Sequence, residues 1–226
     1  MKKLSLGRQT FSNIINENLI YVDKTEYLYN MITNGTAYFM SKPRRFGKSL
    51  TVSTLKEIFR GSKDLFKDTF IYDSDYNWVE YPIVHFDFSK FDADKNIDDL
   101  NQMISDIIDV HATEYNIQLD TTLVTSRFDE LLRKLSKTNQ VVVLIDEYDN
   151  PLISNITDIE KAKKIKDILK GFYKIIKSCD EYVKFAFLTG VTKFSQISVF
   201  SGLNNLTDIS MDRRYSAICG YTQDEL

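Results

Sequence analysis

Gly47-Lys48-Ser49 and Asp146-Glu147 are the residues whose types and surroundings could do chemistry. A glycine ahead of a helix lets the backbone turn its N–H groups toward an anion. A lysine beside it adds a point charge, and the helix that follows aims its positive end at the same place. The arrangement implies a phosphate-binding loop, with Lys48 on the β- and γ-phosphates of a nucleotide and the Ser49 hydroxyl on Mg²⁺. The full pattern of such a loop is G-x-x-x-x-G-K-[ST]; the stretch Lys42-Pro43-Arg44-Arg45-Phe46-Gly47-Lys48-Ser49 lacks its first glycine. Arg44 and Arg45 read either as solvated loop charges or as phosphate contacts. The expected nucleotide-binding stretch runs from Arg44 through Phe46 and Gly47 to Leu50.

The acidic pair closes an apolar run, Val141-Val142-Val143-Leu144-Ile145. Asp146 at such a strand end is expected to hold Mg²⁺ together with Ser49. Glu147 is the candidate general base for an attacking water. Adjacent acids also argue against a small-molecule kinase of the same loop class. A third apolar run, Phe185 to Leu188, ends at Thr189, which is either a γ-phosphate sensor or a plain strand-end threonine. Asp149 reads first as a turn residue before Asn150-Pro151 and second as a shaper of the site. Arg213 and Arg214 read as a surface ion pair or as a guanidinium for the nucleotide, in cis or across an oligomer. His85 and His111 have no partner at ligand spacing, so a zinc site is not expected.

These groups need elements to hold them. Asp23 to Asn34 reads as a helix capped by Asp23 or Thr25, with Leu28, Met31 and Ile32 inward. Thr36 to Met40 reads as a strand, Ser41 to Gly47 as a loop, and Lys48 to Phe59 as a helix stopped near Gly61. Pro82 to Phe88 and Gln140 to Ile145 read as strands, the second buried on both faces. Two amphipathic helices, Asn96 to Tyr115 and Thr122 to Leu135, lie between them. Ile156 to Ser178 reads as one long helix and Val183 to Leu188 as a further strand. The alternation predicts right-handed βαβ crossovers, a mainly parallel sheet between helical layers, and so an α/β three-layer sandwich. Residues 1–35 lead into this single core.

The chain has 226 residues with a net charge of -3, a balance that does not suggest a nucleic-acid binder held by an overall basic surface. The run Lys161-Ala162-Lys163-Lys164-Ile165-Lys166 reads as a solvated helix face before it reads as a nucleic-acid contact. Two cysteines, Cys179 and Cys219, make no disulfide framework, and a cytoplasmic protein is expected. No stretch approaches the length of apolar sequence that crosses a membrane. The 13 tyrosines and 15 phenylalanines read as core before they read as a stacking surface. Thr222 to Glu225 has capping-box spacing, so the chain is expected to be the front of a longer protein.

Five stretches taken together resemble the predicted AAA-ATPase-like family. They are Tyr21-Val22-Asp23-Lys24-Thr25, Pro43 to Ser49, Ile145 to Asp149, Leu188 to Ser195 and Phe200 to Leu206. The family writes its loop as Pro-Arg-Arg-Phe-Gly-Lys-Ser, so the missing first glycine is part of the resemblance. The resemblance implies an additional-strand P-loop ATPase core, in which one strand separates the strands of the two motifs. It implies Mg-ATP as ligand, hydrolysis coupled to a downstream module, and in longer members a C-terminal nuclease-like domain. It also places Tyr21 and Val22 near the adenine, with core packing as the other reading. Oligomers and direct nucleic-acid binding stay open.

Overall fold

The computed structural model describes residues 2–92, 96–192 and 206–225. The motif residues Lys193 to Ser195 and Phe200 to Asn205 lie outside the described residues, as does Leu226.

Strand residues alternate between two cores, which sets the layering. In β3 (Val141–Asp146), Val141, Val143 and Ile145 join one apolar cluster, while Val142 and Leu144 join the other. In β1 (Ala37–Ser41), Ala37 and Phe39 face the first cluster, Tyr38 and Met40 the second. Side chains with a period of two, apolar at both phases, fit only a sheet covered on both faces. The first face is covered by α5 (Ile97–Glu114), α6 (Val124–Leu135) and α8 (Ile159–Ser178). The second is covered by α1 (Phe11–Asn16), α2 (Thr25–Asn34) and α3 (Lys48–Phe59). The aromatic excess goes into these layers: Phe86, Phe128 and Phe172 stack or meet edge to face within 5.2 Å in the first core.

With β2 (Ile83–Asp87), β4 (Val183–Gly190) and β5 (Thr207–Asp208), the described strands form one parallel sheet in the order β2-β3-β4-β1-β5. The fold is the α/β three-layer sandwich expected from the sequence. β4 lies between β1 and β3, so one strand separates the strand before the lysine loop from the strand before the acids. All C-terminal strand ends reach the same edge, where ligands of open parallel sheets bind.

Local signals explain several boundaries. Asn96 starts α5 with a complete capping box, its side chain taking the Asp99 N–H and Asp99 returning the bond. The N-cap of α2 is Lys24, with no side-chain cap bond, so neither Asp23 nor Thr25 caps it as expected. Asp23 accepts the N–H groups of Thr25 and Phe70, and the Thr25 hydroxyl accepts that of Ile71, which ties α2 to the short α4 (Phe70–Asp73). The single helix expected from Ile156 is corrected by the structure. A short helix, α7 (Asn150–Ile153), comes first, and α8 starts only at Ile159, where the Asp158 carboxylate takes the Lys161 N–H. Thr222 and Glu225 form only part of a capping box: the Glu225 carboxylate accepts the Thr222 N–H at 2.7 Å, and the segment makes a single 3-10 turn.

The two histidines, far apart in sequence, meet. His111 Nε2 accepts the His85 N–H at 3.0 Å, which leaves the Nδ1 proton to face Glu114 at 3.2 Å. Burial, with Lys56 adding to it, pushes His85 down from 6.5 to about 4 despite Asp146 and Asp87 nearby. Burial lowers His111 as well, against the pull of Glu114. An unfolded chain takes up these protons near pH 6.5 while the folded one does not, so stability is full above that pH and is lost as pH falls toward about 4. Thermal melts should therefore show Tm falling between about pH 6.5 and 5, above the range of ordinary carboxylates. The variant His85→Leu should flatten that fall; an unchanged slope would remove His85 as its source.

Candidate functional site

The loop after β1 is built around a buried ammonium. Lys48 is 3% exposed. Its Nζ donates to the carbonyls of Lys42 and Pro43 at 3.1 and 3.2 Å and lies 3.2 Å from Glu147 Oε1. The loop therefore turns carbonyls inward, toward the lysine. The N–H groups of Arg44, Arg45, Phe46 and Gly47 make no hydrogen bond among the described residues. Gly47 has φ 98°, with nothing within 4 Å of where a Cβ would stand. Arg45 is also left-handed, at φ 66°. Free N–H groups on a turned loop leading into a helix N-terminus make an anion cradle. Arg44, Arg45 and Phe46 are exposed on its rim, while Ser49 and Leu50 are half-buried in the first turn of α3.

The base of this loop is held from three sides. Lys42 N–H donates to the Gly190 carbonyl at the end of β4. Ser210, just past β5, accepts the Ser41 N–H through its hydroxyl and takes the Lys42 ammonium on its carbonyl. From the far side, Gly220 N–H donates to the Phe46 carbonyl at 3.1 Å. The neighbouring Cys219 Sγ stands 3.4 Å from Thr51 Oγ1 and 3.8 Å from Met40 Sδ. Glu225, a few residues on, grips Lys24 Nζ with both oxygens at 2.6 and 2.7 Å. Nothing in their spacing marks Ser210, Cys219 or Gly220 in advance, because their partners sit on distant segments.

The acids and the threonine come together as expected. The Thr189 hydroxyl donates to Asp146 Oδ1 and lies 3.4 Å from the Glu147 N–H. Asp146 is 5% and Thr189 0% exposed. Glu147 sits at φ 55°, a left-handed backbone that costs free energy for a residue with a Cβ and is tolerated where the surroundings impose it. Here the next two residues do so. The Tyr148 N–H donates to the Thr189 carbonyl at 2.9 Å, and its hydroxyl donates to the Thr192 carbonyl at 2.7 Å. Its ring lies over Gly190, where a Cβ would stand 2.3 Å from a ring carbon.

Asp149 has a larger role than its turn position suggests. The carboxylate is fully buried and accepts the N–H groups of Val191 and Thr192 and the Thr192 hydroxyl. It is the clasp that fixes the exit of β4 beside the exit of β3. A sequence cannot show this pairing, since the donors are main-chain groups some forty positions on.

Other expected site residues meet neighbours of their own. Tyr21 packs edge to face on Phe11 at 5.0 Å, and burial followed by the Asp23 charge raises its hydroxyl above the ordinary tyrosine range. Tyr21 thus packs against α1, with Val22 half-buried beside it. Arg214 is clamped on Asp212 by four hydrogen bonds and lies over the Tyr215 ring. It lines a cavity of about 410 Å³ with Asn30, Asn34 and Tyr38, near the N-terminal end of β1 and away from the lysine loop.

Removing the clasp should be costly. Asp149→Ala leaves two buried N–H groups without an acceptor, and urea unfolding should show a loss of about 3 kcal/mol. Thr192→Val removes only the hydroxyl bond and should cost about 1 kcal/mol. Equal effects of the two would contradict the assigned bonds.

Two comparisons bear on this arrangement. The family model described as "Predicted AAA-ATPase" matches residues 5–200. The chain is also similar to the "Uncharacterized protein in vnfD 5'region" of Azotobacter chroococcum mcd 1, with 42% identity over 229 residues. That match covers 100% of this chain and 44% of the relative, so the chain spans less than half the relative's length. With the lysine loop and the acid pair facing each other across β4, the chain belongs to the predicted AAA-ATPase family.

Proposed function

We propose that this domain binds Mg-ATP at Gly47-Lys48-Ser49 and hydrolyses its terminal phosphoanhydride bond. The observation that carries the reading is the position of the Lys48 ammonium, held between two loop carbonyls and Glu147. A buried cation beside both the loop and Glu147 supports this reading. Family membership supports adenine as the base.

The residues divide the work as follows. The N–H groups of Arg44 to Gly47 and the first turn of α3 take phosphate oxygens, with Arg44 and Arg45 adding charge at the rim. Lys48 moves from Glu147 to the β- and γ-phosphates. Glu147, relieved of its partner, accepts a proton from the water that attacks the γ-phosphorus. The bond to the β–γ bridging oxygen breaks, leaving ADP and inorganic phosphate. Ser49 and Asp146 would hold Mg²⁺, which neutralises phosphate charge. Thr189 keeps Asp146 oriented through its hydroxyl, and on this reading turns that hydroxyl to the γ-phosphate or the water once nucleotide binds. Coupling to a further module, for which the resemblance offers a C-terminal nuclease-like domain, is part of the same proposal.

A second reading is a nucleotide-dependent switch with slow turnover. What favours it is Arg214, bound to Asp212 and turned from the loop, so that it brings no guanidinium to the phosphates in this conformation.

Titration with Mg-ATP and Mg-GTP, followed by phosphate release, tests both readings. Lys48→Ala should abolish nucleotide binding. Glu147→Gln should bind at least as tightly as the parent and lose about 100-fold or more in turnover, the scale of a missing general base. Parent-rate hydrolysis by Glu147→Gln would defeat the base assignment. Tight binding with negligible turnover in the parent would leave the switch.

A further inference from the structure

Helix α8 has a face that neither the core nor the nucleotide site uses. It carries seven lysines against Glu160 and Asp167, a net of +5 in a chain of net -3, so the remainder carries -8. Its apolar side is spent in the core through Ile165, Leu169, Phe172, Tyr173 and Ile176. With 3.6 residues per turn, Lys163, Lys166, Lys170, Lys174 and Lys177 fall in an arc of about 80° on the outer side, in a row about 21 Å long. Four of the five are exposed and Lys166 is half-exposed. None of the five has a carboxylate partner among the described residues.

A merely solvated helix is not usually built this way. Successive members of the row stand three or four residues apart, the spacing at which like charges on a helix repel. The neighbouring α6 shows the alternative within the same layer: Arg127 pairs with Asp109, and Lys134 with Asp120 and Glu130. One helix thus pairs two of its three cations, while the next leaves a row of five open.

The chemistry of the row narrows the partner. Between Lys163 and Lys177 the arc holds no apolar side chain; the exposed Ile159 sits on it one turn ahead, a single residue where lipid insertion uses a whole apolar face. Among the described residues the exposed aromatics Phe46, Phe70 and Tyr221 all lie off α8, so the row lacks the stacking platform that single strands use. Ammonium groups are point charges without the planar fork that reads base edges. What suits a straight row of point charges is a regular line of phosphates. We propose that the α8 lysine row docks the phosphate backbone of duplex DNA without sequence preference. Helix α8 packs on the sheet face opposite α3, the helix that follows the lysine loop.

Fluorescence anisotropy with two labelled DNA duplexes of unrelated sequence tests it on the whole 226-residue chain. Both duplexes should bind alike, and log affinity should fall with log salt at a slope of about -4. The triple variant Lys170→Gln, Lys174→Gln, Lys177→Gln should reduce that slope by about 3 and weaken binding at about 50 mM salt at least ten-fold. Its Tm should stay that of the parent. The control triple Lys2→Gln, Lys67→Gln, Lys137→Gln removes the same charge elsewhere and should change affinity by less than about two-fold. No binding by the parent, or equal losses in the two triples, would overturn the proposal. So would tighter row-dependent binding of a poly-glutamate peptide or an RNA duplex, which would assign the row to another occupant.

Discussion

A buried ammonium must be compensated, and the compensation of Lys48 organises the middle of this protein. At 3% exposure the cation cannot rely on water. Two loop carbonyls and the Glu147 carboxylate supply what water would. For those groups to converge, β1, β4 and β3 must lie side by side and end at one edge. The register does this, pairing Met40 with Thr189 and Ile145 with Leu188. The two apolar layers fix that register, because a slip of one residue would exchange the faces of every strand side chain. Turning the loop carbonyls inward also leaves its N–H groups free, so the anion cradle follows from burying the cation.

Beyond the last paired strand residues, a second set of bonds prolongs the contact of β3 with β4. Glu147, Tyr148 and Asp149 each reach the segment Thr189 to Thr192. The left-handed backbone at Glu147 is the bend that allows all three contacts from consecutive positions. The acid pair, the threonine and the β4 exit therefore form one rigid piece. Gly190 is the residue that lets the tyrosine ring cross it.

Most of the layering was legible in the sequence. Unbroken apolar runs such as Val141 to Ile145 announce strands buried on both faces, and the Asn96 capping box announces α5. Asp146, Glu147 and Thr189 stood out in the sequence because they close apolar strands, and Lys48 because it opens a helix behind a glycine. Three things were hidden for physical reasons. Asp149 acts through main-chain donors, which carry no sequence identity. The break before α8 turns on the Asp158 cap, within a stretch whose apolar spacing runs on unbroken. The meeting of His85 and His111 depends on where α5 crosses β2.

Residues 218–225 contribute almost no regular structure, yet they touch the nucleotide loop at Phe46 and hold Lys24 through Glu225. A protein trimmed at residue 217 would keep every strand and helix named above and still have lost one wall of its loop. The boundary of the working unit is thus drawn by hydrogen bonds, several residues past the last helix or strand. Any segment joined beyond Glu225 would start from a residue already anchored to the domain, so a pull on that joint would be felt first at Lys24 and then at the loop.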